Sequence, residues 1–292
     1  MMRLGIAGCG RHLSVALALA AMTAQAEPIA IVAAESVYGN IARQIGGASV
    51  AETSILASAD ADPHEFEAAA GTARLLATAD LVVYNGAGYD PWIERLLSAA
   101  SSRRRQVVEV AALAGKKQGD NPHLWYDPAA IATLARTLAM RLAAIDPAHR
   151  DGYAAGLAAF DVTLEPLRER IASLRARYAG TPVTATEPVF DYMAEAIGLT
   201  MRGARFQRAM MNGTEPGART IAAFEDDLRN RAVRVLLYNA QTGEALAQRM
   251  RALAVASGIP VVTITETEPP GTNYAQWMLS QLDALERALA GR

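Results

Sequence analysis

Two histidines and one glutamate in this chain each stand beside a proline, where an apolar run ends or a helix is expected to begin. His64 follows Asp62-Pro63, His123 follows Asn121-Pro122, and Glu187 precedes Pro188. Imidazole nitrogens and carboxylate oxygens are the donors that bind divalent transition metals in proteins. With a fourth acid near the C-terminus, these side chains predict a single buried metal site.

The turn that contains His64 suits a metal ligand. Asp62 and Glu65 have the spacing of a capping box, and Pro63 takes the first helical position. His64 then lies in the first helical turn, where the helix dipole disfavours an imidazolium and so favours the neutral, coordinating ring. The neighbouring prolines fix φ, which limits the backbone freedom that metal binding would remove.

Taken singly, each of these residues is more often structural than a ligand. The chain beyond residue 26 has one other histidine, His149, which lies at the start of a solvated helix and is interpreted as a surface residue. The coincidence of two histidines at proline turns favours a shared site, while separate capping roles remain the alternative from the residues alone.

Apolar runs alternate with amphipathic stretches and predict an α/β protein of two lobes, each a mostly parallel four-stranded sheet with helices on both faces. Predicted strands are 28–35, 50–57, 80–85, 106–111, 182–186, 200–207, 232–239 and 260–266. Predicted helices are 37–46, 65–79, 91–100, 128–145, 189–198, 218–230, 243–257 and 272–290. His64 and Glu187 follow predicted strands, Glu266 ends the last one, and His123 precedes a helix. The candidate ligands therefore share the carboxyl side of the sheets, where open α/β sheets bind ligands.

Residues 147–178 carry apolar side chains at helical spacing with no strand pattern, and Pro166 should kink this helix. The domain boundaries that follow are a leader over 1–26, an N-terminal lobe over 27–146, a connecting helix over 147–179 and a C-terminal lobe over 180–292. No glycine-rich linker separates the lobes, which predicts a stiff connection.

The first 26 residues read as a cleavable signal peptide, with a basic start, a short apolar core and Ala24-Gln25-Ala26 before the cleavage site. The alternative is lipidation at Cys9, the only cysteine. Removing the leader changes the net charge from −2 to −4, because Arg3 and Arg11 leave with it. The sequence has no basic patch of the kind that binds nucleic acid. Without its leader the chain has no cysteine, which excludes thiolate metal sites and cysteine nucleophiles.

The chain resembles the zinc/manganese class (cluster A-I) of periplasmic solute-binding proteins that serve ABC metal importers. The resemblance is carried by Asp62-Pro63-His64-Glu65-Phe66-Glu67, Ala79-Asp80-Leu81-Val82-Val83-Tyr84-Asn85-Gly86, Asn121-Pro122-His123-Leu124-Trp125-Tyr126-Asp127-Pro128 and Pro188-Val189-Phe190-Asp191-Tyr192-Met193-Ala194. It implies two α/β lobes bridged by a long helix, and a monomeric, non-enzymatic protein of the periplasm. Its expected partner is an ABC permease in the inner membrane.

By position, the resemblance places the metal ligands on His64, His123 and Glu187. The fourth ligand is usually an aspartate after the last strand, whereas this chain offers Glu266 or Glu268, with Glu266 preferred by register. Two imidazoles and two carboxylates suit Zn²⁺ or Mn²⁺, and zinc is preferred on intrinsic affinity.

Two other functions stay open at the level of the sequence. One is a binding protein for a chelated metal or an organic ligand, with Tyr84, Trp125, Tyr126 and Trp277 as cleft walls. The other is a secreted metallohydrolase, in which His64, His123 and Glu187 would leave an open zinc position. No His-Glu-x-x-His segment supports the second.

Overall fold

In the part of the chain that the structure describes, eight parallel strands form two separate four-stranded sheets, one in each half of the chain. The strands are β1 (Ile29–Glu35), β2 (Val50–Leu56), β3 (Leu81–Tyr84), β4 (Gln106–Glu109), β5 (Pro182–Ala185), β6 (Thr200–Arg202), β7 (Leu236–Asn239) and β8 (Val261–Ile264). Their spatial order is β2-β1-β3-β4 in the first sheet and β6-β5-β7-β8 in the second. The predicted α/β class with two lobes is therefore confirmed, and every strand pair is parallel.

The structure is a computed structural model that describes residues 27–57, 70–100, 102, 104–241 and 243–291. Its helices are α1 (Ser36–Gly46), α2 (Ala70–Thr78), α3 (Pro91–Ala99), α4 (Val110–Leu113), α5 (Pro128–Ile145), α6 (Arg150–Thr163), α7 (Glu165–Tyr178), α8 (Asp191–Ile197), α9 (Ala204–Met211), α10 (Ala218–Arg229), α11 (Ala245–Ala256) and α12 (Tyr274–Ala290). The expected leader over 1–26 and the start of the predicted helix 65–79 lie outside the described residues.

The connecting segment is a long, bent helix, as its sequence predicted. A short 3-10 turn leads into α6, and α7 continues from it after a break at Leu164. Pro166 lies in the first turn of α7, and a proline there lacks the N–H that would continue the hydrogen bonding of α6. Helix α6 packs against α1 and α5 of the first lobe, whereas α7 packs against α8 and α12 of the second.

The two lobes also share one buried core. Trp125 and Trp277, one from each lobe, are fully buried in the same apolar cluster. Hydrogen bonds run between the lobes as well, because the Tyr274 hydroxyl donates to the Trp125 carbonyl at 3.0 Å and the Tyr126 hydroxyl to the Thr265 carbonyl at 2.8 Å. Burial of large aromatic side chains stabilises this junction, which therefore holds the lobes in register.

Two predicted strands are only partly formed. The strand expected at 232–239 begins at Leu236. The strand expected at 200–207 ends at Arg202, and residues 204–211 form α9 instead. Gly203 between them adopts φ 79°, a left-handed conformation that ends the extended segment. The apolar residues Phe206 and Met210 are four apart and both buried, which is the spacing of a helical face.

Helix α5 is long and apolar enough to cross a membrane by length and composition alone. In this structure one face of it is buried, including Ile131, Leu134 and Leu138, and it packs against α1 and α6. It serves as a core helix of the first lobe.

Candidate metal site

His123 is fixed in position by the structure that follows it. A 3-10 turn over Leu124–Tyr126 leads into α5, and Asp127 caps that helix by accepting hydrogen bonds from the N–H groups of Ala129 and Ala130. Pro128 occupies the first turn, where its missing N–H is tolerated. His123 itself is 0% exposed, so its ring is held within the protein between the two lobes.

Glu266 lies opposite this ring. It follows β8 by two residues, is 3% exposed, and places Oε2 3.5 Å from His123 Nε2. Nε2 makes no hydrogen bond to any residue that the structure describes. A buried ring nitrogen that faces a carboxylate without being hydrogen-bonded is a metal-competent arrangement, because both atoms have lone pairs to share with a cation.

Two donors orient the Glu266 carboxylate, and one acceptor holds its backbone. The Tyr89 hydroxyl donates to Oε2 at 3.0 Å, and the Asn239 amide donates to Oε1 at 2.7 Å. The backbone N–H of Glu266 donates to Gln241. Both carboxylate oxygens are therefore oriented by neutral donors, which stabilise the ionised form that binds a cation.

The hydrogen bond from Tyr89 joins the lobes at the site itself. Tyr89 follows β3 in the first lobe, whereas Glu266 belongs to the second. Burial, and then the negative charge of Glu266, raise the pKa of Tyr89 well above its ordinary value. The hydroxyl therefore stays protonated and remains a donor at neutral pH.

The residues on either side of Glu187 are hydrogen-bonded to the region around His123 and Glu266. Glu187 is 3% exposed and precedes Pro188, whose carbonyl oxygen accepts a hydrogen bond from the Asn121 amide at 2.7 Å. On its other side, the Thr186 hydroxyl oxygen accepts from the Asn239 backbone N–H at 3.1 Å. The turn at residues 186–188 (the Glu187 turn) is thus hydrogen-bonded to the loop at residues 121–123 (the His123 loop). It is also hydrogen-bonded to Asn239, which orients Glu266.

Asp191, the first residue of α8, adds a further acid beside His123. Burial raises the pKa of Asp191 to about 6, although the charges of His123 and Arg208 act in the opposite direction. The sequence patterns did not single out this residue, because an acid in the first turn of a helix is ordinary.

The Glu268 side chain lies beside charged residues of the first lobe and not beside His123. It is 6% exposed and close to Arg43 and Glu52 of the first lobe. Burial raises the pKa of Glu268 to about 8. The charge of Arg43 opposes this shift, whereas the charge of Glu52 adds to it. Of the two glutamates after β8, only Glu266 faces His123.

His64 lies outside the described residues. Across the described parts of the chain, no three histidine, cysteine, aspartate or glutamate side chains converge closely enough to hold a metal ion. The structure thus joins His123 and Glu266, and the complete set of four remains a prediction. His149 is half exposed and bonded to Asp146 on the surface, in line with its interpretation from sequence.

The aromatic residues considered as cleft walls are mainly packing residues. Trp125, Tyr126 and Trp277 are fully buried, and Tyr84 is 8% exposed. The Trp125 ring lies edge-on to the His123 ring, with centroids 5.4 Å apart, and so restricts its rotation. Sequence reasoning missed Tyr89 and Asn239 as residues of the site. The one available signal was that Asn239 is a polar residue at the end of a buried strand.

Comparison with known proteins identifies the family of the chain. Residues 31–288 match the model of the family described as zinc-uptake complex component A, periplasmic. The chain is 24% identical over 287 residues to the manganese ABC transporter substrate-binding lipoprotein PsaA of Streptococcus pneumoniae, covering 90% of this chain and 89% of that protein.

A second relative and a solved structure extend the match. The iron ABC transporter substrate-binding lipoprotein MtsA of Streptococcus pyogenes serotype M1 is 25% identical over 309 residues, covering 96% of this chain and 97% of that protein. The periplasmic zinc binding protein TroA from Treponema pallidum has the same fold, with a TM-score of 0.74 at 18% identity over 90% of this chain and 99% of that one. The resemblance seen in the sequence is confirmed: the chain belongs to the family of periplasmic zinc-uptake component A.

Proposed function

We propose that this protein captures a divalent transition metal outside the cytoplasm and delivers it to the permease of an ABC importer. The observation that carries the proposal is the buried pair of His123 Nε2 and Glu266 Oε2, 3.5 Å apart between the two lobes. Relatives across the whole length of the chain are named as substrate-binding proteins for manganese or iron, which supports this role over an enzyme or an organic-ligand binder.

The proposed ligands are His64, His123, Glu187 and Glu266. His123 would supply one nitrogen and Glu266 one carboxylate, from opposite lobes. The buried turn that contains Glu187 is hydrogen-bonded to the loop that contains His123. His64 would complete the set. Four protein ligands leave no open position for an activated water on a tetrahedral ion, which argues against a metallohydrolase.

The chemistry of the proposed donors favours zinc. Two imidazole nitrogens and two carboxylate groups can bind either Zn²⁺ or Mn²⁺. Zinc binds more tightly than manganese to a given set of such donors, so we expect the isolated protein to bind zinc more tightly.

Release requires the ligands to move apart. The Glu187 turn and the loop after β8 supply the second lobe's ligands, so small movements of residues 186–190 and 264–272 would distinguish the loaded from the empty protein. A permease that senses these loops could both recognise the loaded form and separate the ligands. We propose a monomer that acts in the periplasm. A protein cleaved after residue 26 and one anchored through Cys9 would work in the same compartment, and the relatives named above are lipoproteins.

Metal content and titration of the purified protein test this function. We expect one zinc per chain by elemental analysis, and tight binding of zinc to the metal-stripped protein by calorimetry with chelator competition. His64→Ala and His123→Ala should each weaken zinc binding by at least about 100-fold, and Glu266→Gln by about 10- to 100-fold.

Glu268→Gln is the matched control, because it makes the same change two residues away on a side chain that faces Arg43. It should bind zinc as the wild type does. A wild-type protein without stoichiometric metal would refute the function, and equal losses in Glu266→Gln and Glu268→Gln would refute the fourth ligand.

A further inference from the structure

Asn121 is hydrogen-bonded at both ends of its side chain, and the two ends face different lobes. Its Oδ1 accepts from the His123 backbone N–H at 3.1 Å and lies 2.6 Å from His123 Nδ1. Its Nδ2 donates to the Pro188 carbonyl at 2.7 Å. One side chain therefore contacts a proposed ligand of the first lobe and the residue directly after a proposed ligand of the second.

These contacts determine the tautomer of His123. The Asn121 nitrogen must face the Pro188 carbonyl, because the flipped amide would bring two oxygens together. The atom beside His123 Nδ1 is then the amide oxygen, which only accepts hydrogen bonds. Nδ1 therefore carries the proton, and the lone pair of Nε2 points toward Glu266. Free histidine does not favour this tautomer, so the protein has to impose it.

A third hydrogen bond fixes the backbone of Asn121. The Tyr192 hydroxyl on α8 donates to the Asn121 carbonyl at 2.6 Å, and the Lys116 ammonium lies 4.9 Å from the centroid of the Tyr192 ring. Displacing the Glu187 turn and α8 from the His123 loop would break the bonds from both Nδ2 and Tyr192. The position of one ligand is thus coupled to that of another across the lobe boundary.

We propose that Asn121 is a positioning residue that holds His123 in its metal-binding tautomer and ties it to the Glu187 turn, so that these two ligands separate only when the hydrogen bonds of Asn121 break. The proposal deepens the proposed function and rests on it for its effect on metal. Asn121 acts through His123 and Pro188 and is not itself a ligand. Outer hydrogen bonds of this kind change metal affinity or activity by about 10- to 100-fold when removed.

Two substitutions separate the two roles of the side chain. Asn121→Asp keeps an oxygen for His123 but replaces the donor with a second oxygen that faces the Pro188 carbonyl. It should preserve the tautomer and break the link to the second lobe. Asn121→Ala removes both. Asn230→Asp makes the same change of charge at an exposed position at the end of α10 and is the control.

Three measurements at pH 8 read out these variants. Nitrogen NMR of the metal-free protein should show proton on Nδ1 of His123 in the wild type and Asn121→Asp, and a shift toward Nε2–H in Asn121→Ala. Hydrogen exchange across residues 188–192 should become faster in both variants. Zinc transfer to a chelator should be at least about 10-fold faster in both. Asn230→Asp should match the wild type in all three, and circular dichroism would verify folding.

The outcomes distinguish this proposal from the function on which it rests. A wild-type tautomer together with wild-type exchange in Asn121→Ala would overturn the positioning role, whether or not zinc binds. Absence of zinc binding in the wild type, with the expected tautomer and exchange changes, would instead refute the metal function and leave the structural coupling supported. Unchanged zinc release in both variants would overturn the coupling to the metal.

Discussion

The two lobes have the same strand order but use the buried acids at their strand ends differently. In the first lobe Glu35 ends β1, and it pairs with Asp90 inside the lobe. In the second, Glu187 follows β5, the equivalent central strand, and lies next to the residue bonded by Asn121. One scaffold thus places an acid at the same sheet edge twice, once in a closed pair and once beside a candidate metal site.

The surroundings of each carboxyl group explain the difference. Burial raises the pKa of Glu35 well above its ordinary range, and the neighbouring charge of Asp90 raises it further. Burial also raises the pKa of Asp90 to about 6, against the hydrogen bonds from Glu35 and from the N–H groups of Gly86 and Asn85. Glu266 instead receives hydrogen bonds from Tyr89 and Asn239. Hydrogen-bond donors favour the charged form of a buried carboxyl group, whereas burial and a neighbouring negative charge favour the protonated form.

Each lobe has a buried asparagine at the end of its third strand or directly after it. Asn85 comes directly after β3, Asn239 ends β7, and both are buried. The Asn85 amide donates to the Pro122 carbonyl at 2.8 Å and so supports the loop before His123. The Asn239 amide donates directly to Glu266. The first asparagine supports backbone and the second orients a proposed ligand, so their removal should have different consequences.

Replacement of each asparagine by leucine should give the largest effect of this comparison. Asn239→Leu removes a donor from the Glu266 carboxylate, and we expect zinc affinity to fall by about 10- to 100-fold. Asn85→Leu breaks bonds to Tyr38, Gly86 and Pro122, and at about 1 kcal/mol for each bond it should lower the free energy of unfolding by about 2–4 kcal/mol.

Calorimetric zinc titration and urea unfolding of the metal-free variants measure the two effects separately. Each variant is the control for the other, because the same residue types are exchanged at equivalent strand ends. If both lost affinity and stability in the same proportion, the difference between the lobes would be wrong.

Tyr89→Phe tests the hydrogen bond that joins the lobes at Glu266. Only the hydroxyl is removed, so the packing of the ring against Trp125 should persist. A net hydrogen bond contributes about 0.5–1.5 kcal/mol, which corresponds to a loss of zinc affinity of about 2- to 10-fold. Tyr84→Phe is the matched control, since its hydroxyl donates to Glu109 at 3.2 Å within the first lobe. An equal loss in both variants would assign the effect to general stability.

The sequence predicted the fold and the boundaries of α5 well because both depend on short-range patterns. Buried parallel strands are continuous apolar runs, and Asp127-Pro128 marks the start of α5 in the sequence itself. The predicted strand at 200–207 failed because Gly203 begins a new element after only three extended residues.

The site was predictable only where it depends on residues that are close together in the sequence. His123 lies in a local motif, and the register after β8 indicated Glu266. Tyr89 contacts Glu266 across 177 residues of sequence, a distance over which no periodicity or turn signal operates. The choice between Glu266 and Glu268 likewise depended on which side of the loop each carboxyl group occupies, which is a property of the tertiary structure.

The smallest expected effect concerns the pH dependence of stability in the first lobe. An acid whose pKa is raised by folding destabilises the native state once the pH exceeds its unfolded value of about 4. For Asp90 this loss should develop as the pH rises from about 4 to about 6, and for Glu35 it should continue above that range. Below pH 4 both groups are protonated in the folded and unfolded states, so the penalty vanishes.

Glu35→Gln removes the more strongly shifted group and keeps a donor for Asp90. The variant should melt at the wild-type temperature at pH 4 and at least about 3 °C higher at pH 8, measured with chelator present so that bound metal adds no stability. Glu94→Gln, at an exposed position on α3, should show no such pH-dependent gain. A Glu35→Gln variant less stable than the wild type by the same margin at both pH values would mean that the pair contributes hydrogen bonding without a penalty of ionisation. The contrast between a protonated Glu35 in one lobe and a donor-supported carboxylate in the other would then no longer hold.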